Sequence, residues 1–213
     1  MAGLFITLEG IEGAGKTTQI PLIRGFLEQH AHRVICVREP GGTPLAEEMR
    51  AILKTRRSDD ILCDRAELLL MYAARAQLVE RVIKPALAAG TDVLCDRHDL
   101  STLAYQGGGR GLPPELIDGV RRAAIGNLRP DLTFLLDVEP AAGMARISGR
   151  GSADRFESEA LAFFKRVRAA YLQYAREHPD EVKTIDTSAG AAAVTARIFE
   201  ELSTLAPDLA ARA

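Results

Sequence analysis

Lys16 and Thr17 close the stretch Gly10-Ile11-Glu12-Gly13-Ala14-Gly15-Lys16-Thr17, which fits the pattern G-x-x-x-x-G-K-[ST]. The chemistry that needs this spacing is the holding of a polyphosphate. Glycines let the backbone fold round an anion with its N–H groups turned inward. Lys16 can reach the outer phosphates, and the Thr17 hydroxyl, with Thr18 beside it, can sit on Mg²⁺. A helix that follows such a loop points its positive end at the same anion. Leu4-Phe5-Ile6-Thr7-Leu8 is a strand-like apolar run directly before the loop, as the motif requires.

Other polar clusters carry possible chemistry. They are Arg38-Glu39-Pro40-Gly41-Gly42-Thr43, Asp96-Arg97-His98, and the group Arg150, Asp154, Arg155 and Glu157. Asp96 can hold Mg²⁺ or orient a nucleophile, or can be a solvated strand-end carboxylate paired with Arg97. His98 reads as packing. Arg75 lies on one helical face with Leu68, Met71, Tyr72 and Val79. It either snorkels its head to water or offers its planar fork of donors to a cleft. Tyr105 and Gln106 adjoin a glycine-rich turn, where they line a base or sugar pocket or cap the turn.

The elements that must position these residues can be placed from periodicity and breakers. Strands are expected at about 3–9, 33–38, 92–96, 132–137 and 182–185. Helices are expected at about 15–30, 45–53, 64–89, from Pro113-Pro114 onward, 158–178 and 191–205, with a short one after the fourth strand. Pro21 should bend the first helix slightly or loosen one hydrogen bond. The stretch 101–107 is assigned no element, the glycine-rich 107–111 reads as a turn, and 148–153 as a mobile loop. Strands alternating with helices, with continuous apolar runs, predict an α/β fold with a parallel sheet covered on both faces. The four polar clusters then fall near the carboxyl ends of strands, where such sheets bind ligands.

Composition narrows the function classes. The 213 residues suffice for one α/β domain, with no internal repeat and no linker between two domains. A hydrophobic fraction of 47% and a charged fraction of 26% are those of a soluble globular chain. A formal net charge of −2 argues against a protein that coats nucleic acid. Cys36, Cys63 and Cys95 lack metal spacing, and Cys36 and Cys95 lie in apolar runs as expected core residues. No signal sequence and no run of membrane-spanning length is apparent, so the expected location is cytoplasmic.

Taken in order, the motifs resemble those of the thymidylate kinase family. The matching stretches are Glu9 to Thr18, Arg38 to Thr43, Ala73 to Gln77, Asp96 to Ser101, Ala104 to Gly107, Arg129 to Thr133 and Asp154 to Glu157. The resemblance implies a P-loop nucleoside monophosphate kinase fold with a five-stranded parallel sheet and a short lid at about 146–157. It implies transfer of the γ-phosphate of ATP to dTMP. ATP is held by residues 10–18 and Arg146, with Mg²⁺ near Thr17 and Asp96. The dTMP phosphate falls to Arg97 and Arg38, with Glu39 and Pro40 nearby. Arg75 reads the thymine edge, Ser101 or Thr102 helps fix the base, and Tyr72 packs on it. Glu12 faces the sugar 3′-hydroxyl, and Tyr105, beside Gln106, occupies the place of a ribose 2′-hydroxyl. A homodimer through the 64–89 helix is also implied. Where some members carry a basic residue in the P-loop, this chain has Gly13, so Lys16, Glu12 and Arg97 are joined as catalytic candidates by a lid arginine, Arg150, with Arg146 the alternative. Two further readings are another nucleoside monophosphate kinase and a nucleotide switch. No Asn-Lys-x-Asp base reader of a GTP switch is present.

Overall fold

The computed structural model describes residues 2–30, 32–148 and 154–210, with side chains of the last helix described to residue 204. Five strands, β1 (Phe5–Glu9), β2 (Val34–Arg38), β3 (Asp92–Asp96), β4 (Leu132–Asp137) and β5 (Val182–Asp186), form one sheet in the order β2-β3-β1-β4-β5, every pairing parallel. Strand β1 is central and buried along its whole length. Its residues Phe5, Ile6 and Leu8, with Phe134 and Leu136 of β4, are almost fully shielded. Each such side chain contributes about 1.5–3 kcal/mol on burial.

Helices cover both faces: α1 (Lys16–Gln29), α2 (Pro44–Lys54), α3 (Asp64–Leu78), α4 (Lys84–Ala88), α5 (Asp99–Thr102), α6 (Pro114–Ile125), α7 (Pro140–Ile147), α8 (Leu161–Glu177) and α9 (Ala191–Ala210). The expected 64–89 helix runs through, but with π-helical turns at Val79–Ile83 joining α3 to α4. Two expectations are corrected. Residues 99–109 are helical, with α5 passing into π-helical turns at Leu103–Gly109 that pack on α8. A Cβ at Gly108 would meet Ala170 Cβ at 2.5 Å, and one at Gly109 would meet the Phe163 ring at 2.5 Å. These glycines serve close helix contact. Cys36 is exposed, because β2 pairs only with β3 and is an edge of the sheet, whereas Cys95 is buried as expected. Residues 149–153, including Arg150, lie outside the described residues.

Candidate active site

The functional side chains gather where β1, β2 and β3 end. After Glu9 the chain turns through the P-loop into α1, whose N-terminus has no side-chain cap. The Thr18 N–H turns back to the Gly15 carbonyl at 3.0 Å, and those of Lys16 and Thr17 face the loop, where an anion can take them. Gly13 has φ 76°, and a Cβ there would meet the Gly143 carbonyl oxygen of α7 at 2.2 Å. The P-loop therefore lies directly on α7 and has no room for a side chain at 13. Lys16 Nζ donates to the carbonyls of Gly10 (2.8 Å) and Ile11 (3.2 Å). Burial, assisted by the positive Arg97, lowers its pKa to about 8.

A cavity of about 230 Å³ opens beside the loop. Its lining includes Glu12, Lys16 and Thr17 from the P-loop region, Arg38, Glu39 and Pro40 from the end of β2, and Asp96, Arg97, Ser101 and Tyr105 from beyond β3. Arg97 adopts a left-handed backbone (φ 69°) at the tight turn out of β3. Its Nη2 donates to Glu12 Oε1 at 2.8 Å, and the guanidinium lies 5.1 Å from the centre of the Tyr105 ring. Tyr105 donates to the other oxygen of Glu12 at 2.6 Å. Arg38 is half-exposed and pairs with Glu47 at 2.8 Å.

Arg75 neither snorkels nor projects freely into the cavity. It is 2% exposed, and its donors go to Glu39 Oε2 (2.6 Å), Thr102 Oγ1 (2.9 Å) and the His98 carbonyl (2.9 Å). Glu39 is held on its other oxygen by His98 Nδ1 at 2.8 Å. Burial pushes the Glu39 carboxyl up, but Arg75 and His98 more than offset this and hold its pKa below the usual value.

Three more predicted base contacts, like Arg75, lie away from the cavity lining. Tyr72 is buried with its hydroxyl on Asp99 at 2.8 Å; one residue earlier, Met71 faces the cavity instead. Thr102 is fully buried, its hydroxyl accepting from Arg75, so Ser101 is the member of that pair that reaches the cavity. Gln106 is buried and donates to Glu67 at 2.6 Å. Arg50 and Lys54 line the cavity and were not singled out in the sequence. Their i,i+4 spacing on one face of α2, straight after the Arg38–Thr43 loop, was the available signal.

Asp96 Oδ1 is buried without a hydrogen-bond partner and shares the cavity with Thr17. Among the described residues no three His, Cys, Asp or Glu side chains converge on a metal position. This donor set fits Mg²⁺, which keeps waters and takes phosphate oxygens beside one or two protein ligands.

A second cavity, of about 460 Å³, lies on the other side of the loop. It is lined by residues 13–19, Arg146, Thr187, Gly190, Ala191 and Val194. Arg146 reaches the carbonyls of Gly13 (3.2 Å) and Thr187 (3.2 Å), tying the end of α7 to the P-loop and to the turn before α9. The two cavities share Gly13, Lys16 and Thr17.

Residues 8–198 match the family model described as thymidylate kinase. The chain belongs to the thymidylate kinase family. A thymidylate kinase of Shewanella sp. (strain MR-4) is 52% identical over 203 residues, covering 95% of this chain and 96% of that protein. That of Shewanella frigidimarina (strain NCIMB 400) is 52% identical over 187 residues, covering 87% and 86%. A crystal structure of thymidylate kinase from Ehrlichia chaffeensis superposes with a TM-score of 0.75 at 32% identity, covering 95% of this chain and 99% of that one. Membership in the thymidylate kinase family gives the reaction class: the chain is an ATP-dependent nucleoside monophosphate kinase. No helix among the described residues is long and apolar enough to cross a membrane.

Proposed function

We propose that the chain transfers the γ-phosphate of ATP to dTMP, with ATP in the larger cavity and dTMP in the smaller. The observation that carries this reading is the shared wall. Two clefts meet at Gly13, Lys16 and Thr17, so phosphates entering from either side end at one lysine. The acceptor phosphate oxygen attacks the γ-phosphorus in line, and the bond from that phosphorus to the β-γ bridging oxygen breaks. Residues 10–18 cradle the donor phosphates, and Lys16 neutralises them. Arg97 and Arg38 hold the acceptor phosphate, Glu12 accepts from the sugar 3′-hydroxyl, and Met71 lies beside the base, while Arg75, buried behind the wall, fixes Glu39 in the cavity lining. Tyr105 limits space next to the sugar. Thr17 and Asp96 would hold Mg²⁺, which neutralises developing charge on the transferred group.

Arg146 is committed to carbonyls on the donor side, which suits a place beside the adenine better than one on the moving phosphoryl. Arg150 is therefore assigned the transition-state charge. The same reading takes the chain as a cytoplasmic homodimer. Leu69 on α3 and Leu45 and Ile52 on α2 are large apolar side chains left exposed, which supports an apolar contact surface on these helices. Sedimentation at a mass of one 23.0 kDa chain would contradict the dimer.

The test of the reaction is ADP formation with each nucleoside monophosphate in turn. dTMP should give the highest kcat/KM, because Tyr105 leaves no room for a ribose hydroxyl. Slow hydrolysis that no monophosphate accelerates would mean a nucleotide switch.

A further inference from the structure

Glu9 ends β1, immediately before the P-loop, and is completely buried, with no ion-pair partner within salt-bridge distance among the described residues. Its Oε1 accepts from the backbone N–H of His98 (2.7 Å) and Ser101 (3.3 Å), the first turn of α5. Its Oε2 accepts from the Ser101 hydroxyl (2.5 Å) and the Tyr171 hydroxyl of α8 (2.9 Å). These two hydroxyls also touch Arg97 Nη1, at 3.3 and 3.4 Å, and each other at 2.8 Å.

Burial raises the Glu9 pKa, while its hydrogen-bond donors and the nearby Arg97 charge oppose that shift; with Glu9 ionised, the direction of these bonds is fixed. An ionised carboxylate only accepts, and a guanidinium only donates. Two hydroxyl protons are available: both go to Glu9 Oε2, or one goes there and the other joins Ser101 to Tyr171, and in either case none is left for Arg97. Lone pairs are then what the hydroxyls present to Arg97. The backbone around Arg97 is referenced to the same strand: its N–H donates to the Leu8 carbonyl at 2.9 Å, and Glu9 holds the next residue.

We propose that Glu9 is a positioning residue for the acceptor phosphate: through Ser101 and Tyr171 it orients the Arg97 guanidinium, and so sets the distance between that arginine and the P-loop that begins at the neighbouring Gly10. This rests on the reading of Arg97 as the ligand of the dTMP phosphate. It explains why a carboxylate is buried at a point that never lines the cavity. An amide of the same shape would reverse the pattern. Its N–H group donates to a hydroxyl, which turns a proton toward Arg97.

The test compares dTMP with thymidine, which lacks the phosphate, and with a non-hydrolysable ATP analogue, by calorimetry on wild type, Glu9→Gln and Tyr171→Phe. In Glu9→Gln, dTMP should bind roughly ten-fold or more weakly, the range for losing a hydrogen bond to a charged group. Thymidine and the ATP analogue should bind as in wild type, and KM for dTMP should rise in steady state while KM for ATP stays. Tyr171→Phe, which removes one hydroxyl and no charge, should show the same selective loss at smaller size, and it decides alone if Glu9→Gln does not fold. Equal losses for dTMP and thymidine, or no loss in either variant, overturn the inference. A wild type that binds thymidine as tightly as dTMP overturns the acceptor reading itself and this inference with it.

Discussion

Arg97 Nη2 and Glu12 Oε1 stand 2.8 Å apart, each side chain 16% exposed, and this ion pair forms one edge of the smaller cavity, the proposed dTMP site. Glu12 is thus held in place from two sides, by Arg97 and by Tyr105. Truncating it removes the acceptor for a sugar hydroxyl and releases both partners. Glu12→Ala should weaken dTMP use by about 1.5–3 kcal/mol, the range for hydrogen bonds to a charged group, and leave KM for ATP nearly unchanged. Removing the 3′-hydroxyl from dTMP should cost the wild type more than the mutant. Equal costs in the two proteins would contradict this role.

Glu39 and Arg75 form a buried pair at 2.6 Å, with side-chain exposures of 3% and 2%. Glu39→Ala removes the nearer of two carboxylates on Arg75, leaving Asp99 at 3.5 Å, and should cost about 3 kcal/mol of stability, the low end for breaking a buried pair. Because the folded-state pKa of Glu39 is held below its unfolded value, its contribution is fully present above about 4.5, the ordinary carboxylate value, and lost as pH falls through the lower folded value. The Tm difference between wild type and mutant should therefore narrow in acid. A difference that widens as pH falls below 4.5 has the wrong sign.

Lys16 is poised to take up a proton. Its pKa of about 8 in the free site reflects burial, and a polyphosphate in the loop restores the favour for charge. At pH near 9, binding of an ATP analogue should be coupled to net proton uptake, and at pH near 6 uptake by this group should vanish. Calorimetry in buffers of different ionisation enthalpy measures both. Proton release at pH 9 would exclude a neutral lysine in the free site.

Gly13 cannot be replaced without moving α7. With φ at 76° and the Gly143 carbonyl 2.2 Å from an added Cβ, Gly13→Ala combines backbone strain with a backbone clash. The backbone part alone is of order 1–3 kcal/mol. ATP-analogue affinity should fall sharply with the thermal stability. Gly15→Ala, whose added Cβ would meet no atom within 4 Å, should destabilise the free protein less. Equal melting losses in the two variants would remove the α7 contact from the account.

The sheet was legible because the inner strands β1, β3 and β4 are nearly continuous apolar runs followed by polar residues, a pattern tied to burial on both faces, whereas the edge strand β5, Val182-Lys183-Thr184-Ile185, carries it weakly. The phosphate loop was legible because its spacing has one strong chemical meaning. What stayed hidden depended on packing partners. Gly107-Gly108-Gly109 reads as a breaker in one dimension, yet Phe163 and Ala170 of α8 make small residues necessary inside a helical turn. Tyr72 and Met71 differ by one helical position, about 100° of rotation, and only the packing of α3 on α6 and α5 decides which faces the cavity. Arg75 was undecidable because its partners Glu39, His98 and Thr102 come from two other segments. Glu9 lay in a recognised stretch, but its four donors converge only in the fold.

The most direct test of the account is the fate of the γ-phosphoryl group. Enzyme, dTMP and ATP labelled with ¹⁸O in the γ-phosphoryl are mixed, and products are followed by mass spectrometry. Direct transfer between the two cavities predicts that the label appears in dTDP, in step with ADP, with almost none in inorganic phosphate. Label that accumulates in inorganic phosphate while dTMP is left unchanged would contradict it.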